Sequence, residues 1–502
     1  RTYIRAEDVA CRATLVKYME QILFGLHEFL GKHVGITEEI SLKELAKRFQ
    51  NTIISENPER KLADVIQELI KDISPHAVNV ASPYFVGHMT SAIPFFMVHL
   101  KTIAAALNQN VVKLETSKVF SVLEKQVLAK IHRLLFDKPE TFYQEHVQNV
   151  NTTLGSFVEG GTTANLTALW VARNTAFPPG KTPAGEDFSG IENTGVVAAY
   201  RAHDVDRSVV LVSRRGHYSL RKAGGILGIG NDNIIPIDVD DDHKLDINCL
   251  KDTLHALKKD GRTRVIAVVG IAGATETGAI DPLKEIGEIC AEESLFYHVD
   301  AAWGGPVMLS KKNKHLLNGI ELADSVTIDG HKQFYMPMSC GMVYFKDPLI
   351  MDAVTYHANY VNRRGSVDLG IKSLAGSREA NSLILDSALK IMGKNGYALL
   401  VDHGLATARR LANEIGARSL FELVTRPQLN ILTYRICPQH LKEKVLNGDE
   451  TEKTGAIETL NEINRTVQRR QREAGKSFVS RTTLMRRPDE RGIVVLRCVI
   501  MN

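Results

Sequence analysis

Apolar positions recur at helical spacing from Ala13 to Leu30, and again after Pro58, where Leu62, Val65, Ile66, Leu69 and Ile70 follow an i, i+3, i+4, i+7, i+8 pattern. The spacing predicts two amphipathic helices, the second opened by Pro58. Their apolar stripe needs a covering surface, either the main body of the chain or a second subunit. Pro83 and Pro94, with Gly87 between them, break the pattern and mark a boundary. Farther on, nearly continuous apolar runs predict strands at Val209–Ser213, Val265–Ile271, Leu295–Val299, Ser325–Ile328 and Gly341–Phe345. Helical segments separate them, among them Asp281–Glu292, with Pro282 in the first turn behind an Asp cap. Such alternation implies βαβ units in a largely parallel sheet, and the unbroken apolar runs imply helices on both faces. Beyond about Leu374 the pattern changes to a long helical stretch, Ser377–Glu414, then strand-like Leu429–Ile436, a charged helix and Ile493–Ile500. The expected organisation is an N-terminal helical segment over 1–95, a large α/β domain over 96–373 and a smaller α+β domain over 374–502.

At 502 residues, 44% hydrophobic and 24% charged, the chain has the composition of a multi-part globular protein, which excludes disorder, collagen-like repeats and coiled-coil rods. Lys and Arg total 62 against 58 acidic residues, and a formal charge of +4 over this length points to neither nucleic acid nor anionic membrane. The basic run Arg469-Arg470-Gln471-Arg472 follows Ile457, Leu460, Ile463 and Val467 at helical spacing and reads as a solvated helix face. Cysteines at 11, 249, 290, 340, 437 and 498 form no Cys-x-x-Cys pair, so neither a zinc ribbon nor a disulfide scaffold is expected, and no metal. The chain begins with Arg1 rather than Met, shows no basic-then-apolar leader, and has no apolar stretch near the ~20 residues of a membrane span. A cytoplasmic location is expected.

Candidate chemistry gathers where the predicted strands end. His298-Val299-Asp300-Ala301-Ala302-Trp303 and Asp329-Gly330-His331-Lys332 each close an apolar strand, at the edge where open α/β sheets bind ligands. A carboxylate and a lysine delivered to one crevice suit a cofactor that needs a covalent amine partner and a counter-charge for a ring nitrogen, as pyridoxal 5'-phosphate does. Glu159-Gly160-Gly161-Thr162-Thr163-Ala164-Asn165 leads into a helix, whose N-terminus and two hydroxyls suit a phosphate. His217 lies just beyond the strand Val209–Ser213, where an imidazole can stack on a flat ring. Gly225, Gly228 and Gly230 do not open a helix directly after a strand, so they are read as a loop and not as a dinucleotide site.

These motifs, in this order, resemble the group II pyridoxal-phosphate-dependent amino-acid decarboxylases, the family of the glutamate, aspartate, 2,4-diaminobutyrate and aromatic amino-acid enzymes. The resemblance runs from about Ser82 to Asn502, and Ser82-Pro83-Tyr84-Phe85 with Gly87-His88-Met89 is similar to the substrate-side segment of its acidic and diamino-acid branch. It implies a fold-type I α/β enzyme with a mostly parallel seven-stranded sheet, and a homodimer with its active site at the subunit interface. It also implies roles: Lys332 bonding the cofactor, Asp300 facing the pyridine nitrogen, Ala302 and His217 on opposite faces of the ring, and Thr162 and Thr163 at the phosphate. Thr275 would line the ring edge, His331 would touch the cofactor, Arg497 would receive the substrate α-carboxylate and His88 would contact the substrate. Tyr360, or its rival Tyr356, would deliver a proton to the α-carbon from a polar lid that continues through Arg363 and Arg364.

The implied reaction is removal of the α-carboxylate of an L-amino acid as carbon dioxide, with aspartate or glutamate favoured over L-2,4-diaminobutyrate because His88 and the lid offer positive charge. A fold-type I aminotransferase and an inactive structural homologue are the readings of another class. Three features depart from the family pattern. Asp329 stands where many members have Asn, and a carboxylate aimed at a phosphate must point elsewhere or meet a cation. Gly376-Ser377-Arg378-Glu379 replaces a more basic segment, and the chain stops at Asn502 where members usually continue with another helix.

Overall fold

The computed structural model describes residues 9–31, 42–358, 365–485 and 490–502. Strands β1 (Gly155–Val158), β2 (Arg207–Ser213), β3 (Ile234–Ile237), β4 (Thr263–Ile271), β5 (Tyr297–Asp300), β6 (Ser325–Asp329) and β7 (Gly341–Phe345) form one seven-stranded sheet, in the order β1-β7-β6-β5-β4-β2-β3. The pairs β3/β2, β2/β4, β4/β5 and β5/β6 are parallel, and β7 runs antiparallel to both β6 and β1. Six strands therefore end at the same edge. The expected mostly parallel sheet is present; β1 and β3, four residues each, are the strands that periodicity missed. β3 carries Pro236, which a sheet tolerates at its edge.

Alternate residues along the central strands enter different cores. Val209, Leu211 and Val268 pack with Leu250, Leu283 and Phe334, whereas Val210, Val212 and Val269 pack with Leu169, Leu220 and Ile229. The two-residue period of a strand thus feeds two helical layers, which is why these strands read as unbroken apolar runs. Burial of each such side chain contributes about 1.5–3 kcal/mol relative to exposure.

The helices that bear on the site and its surroundings are α1 (Val9–Leu30), α2 (Leu62–Glu68), α3 (Phe95–Leu107), α4 (Val119–Phe136), α5 (Gly161–Ala176), α6 (Tyr218–Ile226), α7 (Leu283–Glu292), α8 (Asn381–Gly416) and α9 (Glu450–Glu473). A second, antiparallel sheet of β8 (Phe421–Thr425), β9 (Ile431–Ile436), β10 (Ser480–Leu484) and β11 (Ile493–Val499) has the order β8-β9-β11-β10.

Several local expectations are corrected. α2 begins at Leu62 behind an extended Lys61 and not at Pro58, and it widens into a π-helical turn over Leu69–Ile73. Its stripe is split: Ile66 is buried, while Val65 and Leu69 are exposed. Asp281 does not cap α7. It is buried, and its two carboxylate oxygens accept the backbone N–H groups of Leu245 and Ile271, each at 2.8 Å, clamping the end of β4 to a neighbouring loop. The long C-terminal helix starts at Asn381, because Arg378 is drawn into a two-pronged bond with buried Glu124 at 2.9 and 2.6 Å, and it breaks at Gly393, whose φ of 60° suits glycine. Gly225 falls inside α6, with Gly228 and Gly230 in the loop after it. Arg469, Arg470 and Arg472 lie exposed on α9, as the pattern predicted. Among the described residues no helix is long and apolar enough to cross a membrane.

His132 of α4 couples two layers. Its Nε2–H donates to the Phe345 carbonyl at the end of β7 (3.0 Å), and its Nδ1 takes the Tyr143 hydroxyl (3.0 Å). Burial pushes its pKa down to about 4, so the folded protein holds it neutral. The unfolded chain binds this proton near the ordinary histidine value and the folded chain does not, so stability is full above pH ~6.5 and falls as the pH drops through about 4. We expect a loss on the order of 2–3 kcal/mol from this group. Thermal unfolding between pH 7 and 4 should fall less steeply in His132→Gln than in the native protein.

Candidate active site

The common edge of the six strands carries a cavity of about 600 Å³, lined by residues at or just beyond the ends of β1, β2, β4, β5 and β6. Thr162 and Thr163 come after β1, His217 after β2, Thr275 after β4, Asp300 and Ala302 from the end of β5, and His331 and Lys332 after β6. His88 and Arg497 complete the lining. Ten of the eleven residues singled out in the sequence thus share one space. The eleventh, Tyr360, lies outside the described residues, as do Arg363 and Arg364. Its rival Tyr356 is not among the lining residues; its hydroxyl donates to Glu192, which raises the phenol pKa.

Behind Asp300 stands a hydrogen-bonded chain that motif reading missed. A carboxylate only accepts, so Asn165 Nδ2 donates to Asp300 Oδ2 (2.9 Å) and Asn165 Oδ1 faces His298 Nε2 (3.0 Å), which must donate. His298 Nδ1 then takes the Ser325 hydroxyl (2.8 Å), and burial lowers its pKa to about 4, keeping it neutral. Asp300 Oδ1 accepts the Ala302 N–H at 3.1 Å. The other amide hydrogen of Asn165 goes to Ser219 Oγ (3.0 Å), and Ser219 holds His217 Nδ1 through its hydroxyl at 2.8 Å and its backbone N–H at 3.3 Å. A backbone N–H can only donate, so Nδ1 is an acceptor and neutral His217 carries its proton on Nε2. Burial, reinforced by Lys332, depresses the His217 pKa. Asn165 and Ser219 stand within or beside the quoted sequence motifs, but Asn165 lies 54 positions from Ser219 and 135 from Asp300, and no spacing reveals those bonds.

The Gly160-Gly161 turn opens α5, and Gly160 supplies no side-chain cap, so the first N–H groups of the helix are open to an anion. Close approach requires both glycines of this corner. A Cβ on Gly341 would fall 2.5 Å from Gly160 Cα, and one on Gly161 would fall 2.9 Å from Asp329 Oδ2 and 3.3 Å from Ala302 Cβ. Asp329, expected to turn away or to meet a cation, does the latter: its Oδ2 lies 3.0 Å from Lys332 Nζ and 3.8 Å from His331 Nε2.

The second sheet contributes Arg497, from β11, to the same cavity. One guanidinium nitrogen is shared between the Gly87 carbonyl and Ser480 Oγ, both at 3.2 Å, while Nε and Nη2 are buried without a partner. Burial lowers its pKa to about 10, which still leaves it charged at neutral pH. The segment bearing His88 is laced to the same sheet, with Val86 N–H on the Phe478 carbonyl and Val499 N–H on the Val86 carbonyl. Partial burial, with Arg497 and Lys332 nearby, pushes the His88 pKa down. A buried cation with two unsatisfied donors, sharing a cavity with a lysine and a carboxylate, is built for an anionic substrate beside a second bound group.

Residues 44–437 match the pyridoxal-dependent decarboxylase conserved domain. The chain belongs to that family. Aspartate 1-decarboxylase of Aliivibrio fischeri is 41% identical over 491 residues, covering 98% of this chain and 88% of the relative. L-2,4-diaminobutyrate decarboxylase of Acinetobacter baumannii is 28% identical over 408 residues, covering 80% of this chain and 76% of that one. The crystal structure of mouse CSAD in apo form superposes with a TM-score of 0.80 at 21% identity, covering 98% of this chain and 95% of that chain, which shows the shared fold.

The decarboxylase therefore uses pyridoxal phosphate, and its residues fit that cofactor. The glycine corner and the open start of α5 form a cradle that any Cβ at Gly161 would fill, Lys332 stands at the same edge, and Asp300 is held as an acceptor-only group on the cavity wall. Asn165→Leu removes two donated bonds and one accepted bond from a sealed network, taking their partner from an oxygen of Asp300, the Ser219 hydroxyl oxygen and the N–H of His298. We expect it to cost about 2–4 kcal/mol of stability, read by denaturant unfolding, with Ser219→Ala costing less because Asp300 keeps its partner.

Proposed function

We propose that this decarboxylase removes the α-carboxylate of a small acidic L-amino acid, L-aspartate ahead of L-glutamate. The observation that carries the reading is Arg497, a buried guanidinium with two unpartnered nitrogens in the cavity that Lys332 also lines. Its role would be to hold the α-carboxylate. Arg215 also lines the cavity, and although its guanidinium is paired with Glu276 at 2.8 Å, its Nε is buried without a partner, a free donor that supports a second carboxylate on the substrate. Of the buried acidic groups there, Asp300 is engaged by Asn165 and Ala302, and Asp329 by Lys332 through one oxygen. A diamine substrate would find only exposed Glu159 and the single unpartnered oxygen of Asp329 to meet its second ammonium; burying an unmatched charge costs several kcal/mol, and each 1.4 kcal/mol is about a factor of ten. The aspartate-specific name of the 41% identical relative points the same way.

When bound, the cofactor supplies an electron sink for the pair left behind as carbon dioxide departs. Lys332 would bond it, and Thr162 and Thr163 would take its phosphate. His217 and Ala302 would sandwich the ring, with Thr275 at its edge and His331 beside it. Asp300, positioned by its two donors, would face the ring nitrogen and hold a proton there. Tyr360 would return a proton to the α-carbon.

A homodimer is part of the proposal. α1 exposes Val16, Leu23 and Phe24, and α3 exposes Phe95, Val98 and Ile103, apolar surface that a second copy would cover. The 1–95, 96–373 and 374–502 division is kept with the first part as the clasp, and a cytoplasmic location agrees with described cysteines that are all free.

The test is carbon dioxide release by purified protein with pyridoxal phosphate, across aspartate, glutamate, cysteine sulfinate, 2,4-diaminobutyrate, ornithine and an aromatic amino acid. Release should be fastest with aspartate and absent in Lys332→Ala, which should also lack the visible absorbance of lysine-bound cofactor. Fastest release from diaminobutyrate would overturn the pocket's sign. Arg497→Gln should raise KM for the best substrate about 100-fold or more, as expected for losing a charged contact worth about 3 kcal/mol; an unchanged KM would remove Arg497 from substrate binding.

A further inference from the structure

Asp329 is the least expected group in the cavity. Its side chain is 3% exposed, and it ends β6 at the corner where Gly160, Gly161 and Gly341 meet. Oδ2 faces Lys332 Nζ at 3.0 Å, while Oδ1 is buried with no partner at all. Both oxygens lie against the start of α5: a Cβ on Gly161 would sit 2.9 Å from Oδ2 and 3.3 Å from Oδ1. A carboxylate thus borders the cradle that the helix N-terminus offers to a phosphate.

We propose that Asp329 is a resident anion of this cradle, which balances Lys332 when no phosphate is present and weakens the hold on any phosphate group that enters. The inference rests on the reading of the Gly160–Thr163 corner as the phosphate site. Its physical basis is that a phosphate dianion placed beside a buried carboxylate is repelled at short range, where little water screens the pair. The unpartnered Oδ1 has no donor to redirect it, and Lys332 is the nearest cation to the other oxygen among the described residues. The carboxylate is therefore held in place by the lysine, and the cradle carries one more negative charge than an amide at position 329 would give it.

The experiment compares the full-length protein, freed of cofactor, as native, Asp329→Asn, Gly161→Ala, and Lys332→Ala with and without Asp329→Asn. Inorganic phosphate affinity is measured by calorimetry and pyridoxal phosphate affinity by absorbance titration. Asp329→Asn should bind both at least ten-fold more tightly, and should unfold at a lower temperature than the native protein in phosphate-free buffer because Lys332 has lost its counter-charge. In the Lys332→Ala background, where no covalent bond to the cofactor can form, the same gain for inorganic phosphate should persist. Unchanged or weaker phosphate binding in Asp329→Asn overturns the proposal, as does a gain confined to proteins that retain Lys332. Gly161→Ala separates the two readings. If it leaves phosphate binding untouched, the corner is not the cradle; if it weakens binding while Asp329→Asn brings no gain, the cradle stands and the role of Asp329 falls.

Discussion

The bond from Asn165 to Asp300 is the contact on which the rest of the site depends. A buried carboxylate persists only if its lone pairs are satisfied, and here the donors come from the first helix after β1 and from the backbone at Ala302. Meeting that requirement fixes more than one side chain. Asn165 must turn its oxygen toward His298, His298 must remain neutral, and the second amide hydrogen must go to Ser219. Ser219 in turn sets which nitrogen of His217 bears a proton. One unsatisfied acceptor at the end of β5 therefore determines the tautomer of an imidazole that lies beyond β2.

That arrangement requires the parallel sheet. Parallel strands terminate together, so residues from distant parts of the chain meet at one edge without long loops. The antiparallel strand β7 has a separate use: it brings Gly341 into register with both Val158 and Asp329, which closes the glycine corner beside the start of α5. The second sheet supplies the remaining wall. Arg497 sits in β11, and backbone bonds from Val86 and Val499 tie the His88 segment to that sheet, so the lysine side and the arginine side belong to different layers of the molecule.

Charge is distributed unevenly between those walls. Among the buried acidic groups of the cavity only one oxygen of Asp329 lacks a partner, whereas the unmet capacity of Arg497 is that of a donor. The site is therefore open to anions on one wall and internally balanced on the other. This asymmetry suits an acidic substrate entering beside a phosphate-bearing cofactor.

Much of this was written in the chain itself. Continuous apolar runs located five of the seven strands, because strands buried on both faces need no polar alternation, and the glycine pair, the Asp300 and Lys332 motifs and Arg497 pointed to ten lining residues from the sequence alone. Local patterning erred where a distant partner competed: Asp281 left its cap position to clamp Leu245 and Ile271, and Arg378 left the helix start to pair with Glu124. The sequence also marked Asp329 as anomalous without saying what it meets. Only the tertiary structure could decide that it pairs with Lys332, that Asn165 serves Asp300, and that Arg497 keeps two donors free. The physical reason is that residue type and spacing govern local conformation and which faces are buried, whereas hydrogen-bond satisfaction depends on which groups folding brings within about 3 Å of one another.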